Sequence, residues 1–184
     1  MRSMPARLVT ADQLLRLPRG RHRHELMRGE LRTMSPANPL PCKIAARFGK
    51  ILMNHVDQHR LGDVYVSEPG FLLEHNPDTV MAPDVAFVAA NRTHLVPEHG
   101  FFPGPPDLAV EVRSPGDSAV ELRAKAAAWL DHGCLLVVTV DPGPRMVVVY
   151  RRGTEPVELT EQATLVAGDV VPGFSMAIAD LFAR

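Results

Sequence analysis

The chain has 184 residues, 46% of them hydrophobic and 22% charged, a length and balance that predict one compact domain able to bury its own core. A net charge of -1 excludes a protein whose whole surface grips nucleic acid, though not one with a local basic patch. No apolar run approaches the roughly 20 residues needed to cross a bilayer, and the opening MRSMPARLVTADQLL lacks the apolar stretch of a secretory signal, so a cytoplasmic protein without a membrane partner is expected.

In chain order, Thr10 is a good N-cap and predicts a short helix through Asp12, Gln13, Leu14 and Leu15, closed by Pro18. HELMRGELRTM predicts two short strands around an Arg28-Gly29 turn. The surrounding segment carries Arg16, Arg19, Arg21, Arg23, Arg28 and Arg32 with His22 and His24, opposed only by Glu25 and Glu30. Such a run serves either solubility or phosphate contact. After SPANPLP, read as a breaker, Ile44, Phe48, Ile51, Leu52 and Val56 fall on one helical face and predict the longest helix over Cys42 to His59.

GDVYVSEPGFLLEH predicts two strands interrupted at Pro69-Gly70, and PDVAFVAA a third. Asn91 to Pro106, with four prolines and two glycines, predicts a loop or lid, whose Leu95, Val96, Phe101 and Phe102 are expected to be exposed and suited to an interface. Then come a strand over DLAVEV, a helix from about Asp117 to His132, a central strand at Leu135 to Pro142 and a pairing strand MVVVYRR. Strand, helix and strand here form a βαβ-like unit with the usual right-handed crossover. The tail predicts short strands, a Val171-Pro172-Gly173-Phe174 turn and a terminal helical stub.

The strand DLAVEVR poses a chemical question. Alternation puts Leu108, Val110 and Val112 on one face, and Asp107, Ala109, Glu111 and Arg113 on the other. Burying a charge between helices costs several kcal/mol unless it is paired or metal-bound. An internal Glu111–Arg113 ion pair or a wet sheet end would answer this without any function. Asp84 and Asp107, each following a proline at a strand start, offer other partners. Four residues along a strand span roughly 13 Å, too far for Asp107 and Glu111 to share an ion. If the Asp84 strand pairs with this one, its side chain comes within roughly 5 Å of the Glu111 backbone, where two carboxylates raise a pKa or recruit a divalent cation.

On the following helix Leu122, Ala126 and Trp129 form an apolar stripe, and Lys125 sits at its margin, able to reach inward or to pair with Glu121 on the surface. Trp129 reads as core. His55 and His59 have ligand spacing but no third ligand nearby, so zinc is not expected. His22, His75, His94, His99 and His132 are expected to face solvent, and Cys42 and Cys134 to be buried or inert.

The run PDLAVEVRSPGD, the Lys125 helix, the strand ending Val140-Asp141-Pro142, the Pro172-Gly173-Phe174 turn and the opening HELMRGELRTMSP occur in an order and spacing that resemble a known family from about Thr10 to Phe182. It is the bacterial family of putative restriction endonucleases abundant in cyanobacteria, within the PD-(D/E)XK nuclease superfamily. The resemblance implies an α/β, restriction-endonuclease-like mixed β-sheet flanked by helices, as a single domain of residues 1–184. It implies a nuclease hydrolysing DNA phosphodiester bonds with Mg2+ or Mn2+, held by Asp84, Glu111 and the carbonyl of Val112, with Glu25 as an extra carboxylate.

Arg113 occupies the lysine position of the superfamily's Glu-x-Lys. Arginine stays protonated in proteins, so it can clamp a phosphate but cannot be a general base. Lys125 looks like the functional replacement, as in families where the lysine has migrated to this helix. Pro41-Cys42 stands where many members have a histidine, and Val138 where they have an aromatic. These departures leave open a catalytically silent nucleic-acid-binding or assembly domain, and a plain α/β domain with structural acids. Cutting a duplex needs two scissions, which favours a homodimer.

Overall fold

A computed structural model of the chain describes residues 8–18, 23–34, 38–67 and 69–183. Arg19, Arg21 and His22 of the basic segment lie outside the described residues, as do Ser35 and Pro36 of the opening motif.

Helix α1 (Ala11–Leu15) starts at Thr10 with a reciprocal capping box to Gln13. Strands β1 (Arg23–Met27) and β2 (Glu30–Met34) form a hairpin whose Arg28 and Gly29 take positive φ of 51° and 80°. Helix α2 (Pro39–His59) begins earlier than the apolar spacing predicts. The Asn38 side chain accepts from the Leu40 amide, and Pro39 at the first helical position has no amide to waste. A proline read as a breaker is thus part of the helix start.

Next come β3 (Gly62–Val66), β4 (Phe71–Glu74), β5 (Thr79–Met81) and β6 (Val85–Ala89). A 3-10 turn over Ala90–Leu95 leads to β7 (Phe102–Pro103) and β8 (Leu108–Val112). Helix α3 (Ala119–Asp131) connects β8 to β9 (Leu136–Asp141), followed by β10 (Met146–Arg151) and β11 (Val157–Leu159). The chain closes with β12 (Thr164–Val166), β13 (Ser175–Ala177) and α4 (Ile178–Phe182).

The central sheet runs β11-β10-β9-β8-β6-β3 and is mixed: β8 and β9 are parallel, joined by α3, and the other pairs are antiparallel. On one face Phe48 and Leu52 of α2 pack with Leu108, Val110 and Val138 in a core that includes Ile178 and Leu181 of α4. On the other, Trp129 and Ala126 of α3 pack with Ala109 and Val137, together with Phe71 and Met81 of a second sheet ordered β2-β1-β5-β4-β7. Each fully buried large side chain contributes about 1.5–3 kcal/mol of apolar burial. This is the mixed sheet flanked by helices that the sequence implies.

Two expectations are corrected, and of the two cysteines expected to be buried or inert the second is buried. Phe102 is buried on β7, 5.3 Å from the Phe71 ring and capped by the Arg92 guanidinium at 5.6 Å, while Phe101 packs against the α1 cluster, so only Leu95 and Val96 of the predicted apolar loop are exposed. Cys42 is exposed; Cys134 is buried, and burial pushes its thiol up to about 12. His132 is half-buried, its Nδ1 donating to the Ala128 carbonyl at 2.7 Å.

Candidate functional site

The register of β6 on β8 places the two acids. Val85 faces Val110 and Ala86 faces Ala109; the pairing ends there, and Asp84, one residue beyond it in the rung that Glu111 would share, lies close enough for its charge to act on the Glu111 carboxyl. The Asp84 amide donates to the Val110 carbonyl at 3.0 Å, and its Oδ2 accepts from the Val112 amide at 2.7 Å. The carboxylate caps the strand pair at the point where Pro83 can supply no amide.

Glu111 projects from β8 toward α3 and is 4% exposed. The Lys125 amine donates to Oε2 at 3.0 Å, and the Trp129 indole Nε1 donates to Oε1 at 2.8 Å. Lys125 and Trp129 are four residues apart, one above the other on α3. The amine also reaches Glu25 Oε1 at 3.1 Å, and that same oxygen accepts from the Ala82 amide at 2.9 Å. Glu121 does not compete for the lysine: its carboxylate turns back to the Ser118 amide at 2.8 Å and closes the helix N-terminus.

One amine therefore serves two carboxylates. Burial pushes the Glu111 carboxyl up to about 7, with Asp84 and Glu25 adding to the rise and Lys125 and the indole opposing it. Asp84 is raised too, chiefly by burial, with Glu25 adding; the Val112 amide, Lys125 and Arg23 pull the other way. Burial works against the charge on Lys125, yet Glu111 and Glu25 hold its amine above the ordinary lysine range. Lys125 is thus a fixed cation.

Arg113 stands apart from this group. Its guanidinium donates to Asp141 at 2.6 Å and to the Asp117 carbonyl at 3.0 Å, tying the end of β8 to the end of β9. Glu111 and Arg113 answer to different partners rather than to each other. Asp107 also stands apart, at the far end of β8, where it accepts from Arg92 at 3.0 Å and from the Ala89 amide at 2.7 Å. The rings of His55 and His59 are 4.4 Å apart, and their nitrogens bond the carbonyls of Pro172 and His55.

A family model described as "Putative restriction endonuclease" matches residues 11–179. The chain belongs to that family. A crystal structure described as a putative nuclease belonging to DUF820 from Anabaena variabilis is similar with a TM-score of 0.81, covering 95% of this chain and 97% of that one at 21% identity. That likeness shows a shared fold. No curated protein matches the chain.

Within this family fold, a cleft of about 410 Å³ lies between α2 and the end of β3, with Asp84 on its wall. Pro41 and Cys42 line the same cleft. Val138 is fully buried in the α2-side core.

Among the described residues, no three His, Cys, Asp or Glu side chains form a ready-made ligand cluster. The donors at hand are the two carboxylates of the Asp84–Glu111 rung, hard oxygens of the kind Mg2+ accepts while keeping several waters. Both carboxyls are raised chiefly by burial, with neighbouring acids adding, and an acidic pair of this kind is compatible in its chemistry with a divalent cation.

Sequence reasoning missed Trp129 as a functional neighbour. A buried indole needs an acceptor, and its position four residues after Lys125 was the available signal. It also missed Arg23, whose charge bears on Asp84.

Proposed function

We propose that the protein hydrolyses DNA phosphodiester bonds with Mg2+ or Mn2+ held by Asp84 and Glu111, completed by the carbonyl of Val112. The observation that carries this reading is the Asp84–Glu111 rung itself: two carboxylates side by side at a sheet end, both with raised pKa, beside a fixed cation. When bound, the metal polarises the phosphate and lowers the pKa of a coordinated water.

The chain's own residues do the positioning. The Val112 amide orients Asp84, and the Trp129 indole orients Glu111. Glu25 steadies Lys125, whose amine stabilises negative charge as it grows on the phosphate oxygens. With its pKa held high, Lys125 acts as a cation and not as a general base. Arg113 braces β8 against β9. A homodimer supplies the second scission of a duplex. Among the described residues, no helix is long and apolar enough to cross a membrane.

A second reading, a catalytically silent nucleic-acid-binding domain, is favoured by one observation: both Glu111 oxygens are already engaged, by Lys125 and by Trp129. Calorimetric titration with manganese separates the two. The nuclease reading expects binding by the wild type that is lost in both Asp84→Ala and Glu111→Ala. A folded wild type that takes up no manganese, with or without DNA, supports the silent domain.

A further inference from the structure

The cleft beside Asp84 has a use of its own. One face of α2 forms a wall, because Ala46, Lys50, Met53 and Asn54 recur at three- and four-residue spacing. Gly49 lets the helix approach β3 so closely that a Cβ there would lie 2.7 Å from Val66. The interior is largely apolar, with Asn54, Ser67 and Ser114 as polar groups and Lys50 as its lysine. About 410 Å³ with an apolar lining and a few polar groups is the make-up of a small-molecule site.

If a phosphate is held at the Asp84–Glu111 rung, the chemical group nearest the cleft is that phosphate's own nucleoside. In an intact duplex the base is stacked inward and cannot enter. An unstacked base can, and extruding it is far easier from a single strand than from a duplex. Cations accompany Asp84: Lys50 lines the cleft with it, and the charges of Lys125 and Arg23 act on its carboxylate.

We infer that this cleft binds one unstacked nucleobase next to the scissile phosphate, so that the substrate is DNA with an unpaired or flipped nucleotide. The apolar wall takes the face of the base, and Asn54, Ser67 and Ser114 address its edge. The inference rests on the reading of the Asp84–Glu111 rung given above.

Ala46 is exposed on the cleft wall, so Ala46→Trp fills the cleft while leaving the buried face of α2 intact. The test uses the full chain with calcium in place of magnesium and a fluorescein-labelled single strand of about 12 nucleotides, a length suited to one small domain. Its blunt duplex and a copy lacking one base are the comparisons. The wild type should prefer the strand, and Ala46→Trp should weaken strand binding about tenfold, the worth of one stacked base. On the copy with its missing base at the cleft, Ala46→Trp should add nothing. Asn54→Ala, a milder change, should lose several-fold on the intact strand.

An Ala46→Trp protein that melts like wild type and binds the strand equally well overturns the inference, as does a wild type that prefers the blunt duplex. Manganese-dependent cleavage of the same strand tests the rung separately. Cleavage without an Ala46→Trp effect sinks the cleft alone; the tenfold effect without cleavage keeps the cleft and removes hydrolysis.

Discussion

Trp129 and Glu111 are joined by a buried hydrogen bond, the indole Nε1 donating to Oε1 at 2.8 Å. Trp129→Phe keeps the ring and removes the donor, leaving a buried carboxylate oxygen short of a partner. Urea denaturation at pH 8 should show a loss of about 1–3 kcal/mol. Manganese affinity should fall as well, because Glu111 is then free to rotate away from Asp84. An unchanged affinity would reduce Trp129 to packing.

The pH dependence of the same carboxyl has a defined sign. Its ordinary value is 4.5 and burial raises it to about 7, so between those values the folded chain holds a proton that the unfolded chain has released. This contribution to stability is complete below pH 4.5 and is lost as the pH climbs through 7. Relative to Glu111→Gln, the wild type should lose up to about 3 kcal/mol between pH 4.5 and 8. Manganese binding should strengthen over the same interval, since the metal must displace that proton. Parallel stability curves for the two proteins would contradict this account.

Lys125 and Arg113 should part company on substitution. Lys125→Met leaves Asp84 and Glu111 in place, so manganese should still bind, whereas hydrolysis of a cleavable DNA should drop by at least about a hundredfold. Arg113→Gln breaks a partly exposed pair with Asp141 and should cost about 1 kcal/mol or less in stability, with hydrolysis within a few-fold of wild type. The reverse ranking in a cleavage assay would return the catalytic cation to Arg113.

Asp84 and Asp107, each preceded by a proline, also separate. Asp107→Ala strands the half-buried Ala89 amide and the Arg92 guanidinium, a loss of about 2–4 kcal/mol by denaturant titration. Its manganese affinity, measured where the variant is folded, should match wild type. Asp84→Ala should show the opposite pattern.

Long, strongly periodic segments were the legible part of the fold. The apolar face of α2, the alternation of β8 and the β-branched run of β9 each carry enough residues to outvote local exceptions. Strands β5 and β7 escaped notice because three or two residues hold no period; their backbones are extended because β4 offers them partners. The Asp84–Glu111 rung could be foreseen as a condition on strand pairing, and the pairing met that condition. What no pattern shows is which cation meets which anion. That was decided by α3, whose capping box occupies Glu121 and turns Lys125 inward to Glu111, leaving Arg113 to Asp141. The hydrogen bond from Trp129 stayed hidden because a hydropathy pattern counts an indole as apolar.

Glu25 links the two sheets through the site: from β1 it reaches the Ala82 amide ahead of β6 and the Lys125 amine on α3. Its partner on α3 lies a hundred residues further along the chain. During synthesis the N-terminal hairpin must therefore wait for α3 to leave the ribosome before its acid finds an amine. Contacts this distant in sequence close slowly. A nascent chain stopped before α3 carries the acids without Lys125, so the charge cluster is completed only once that helix is made.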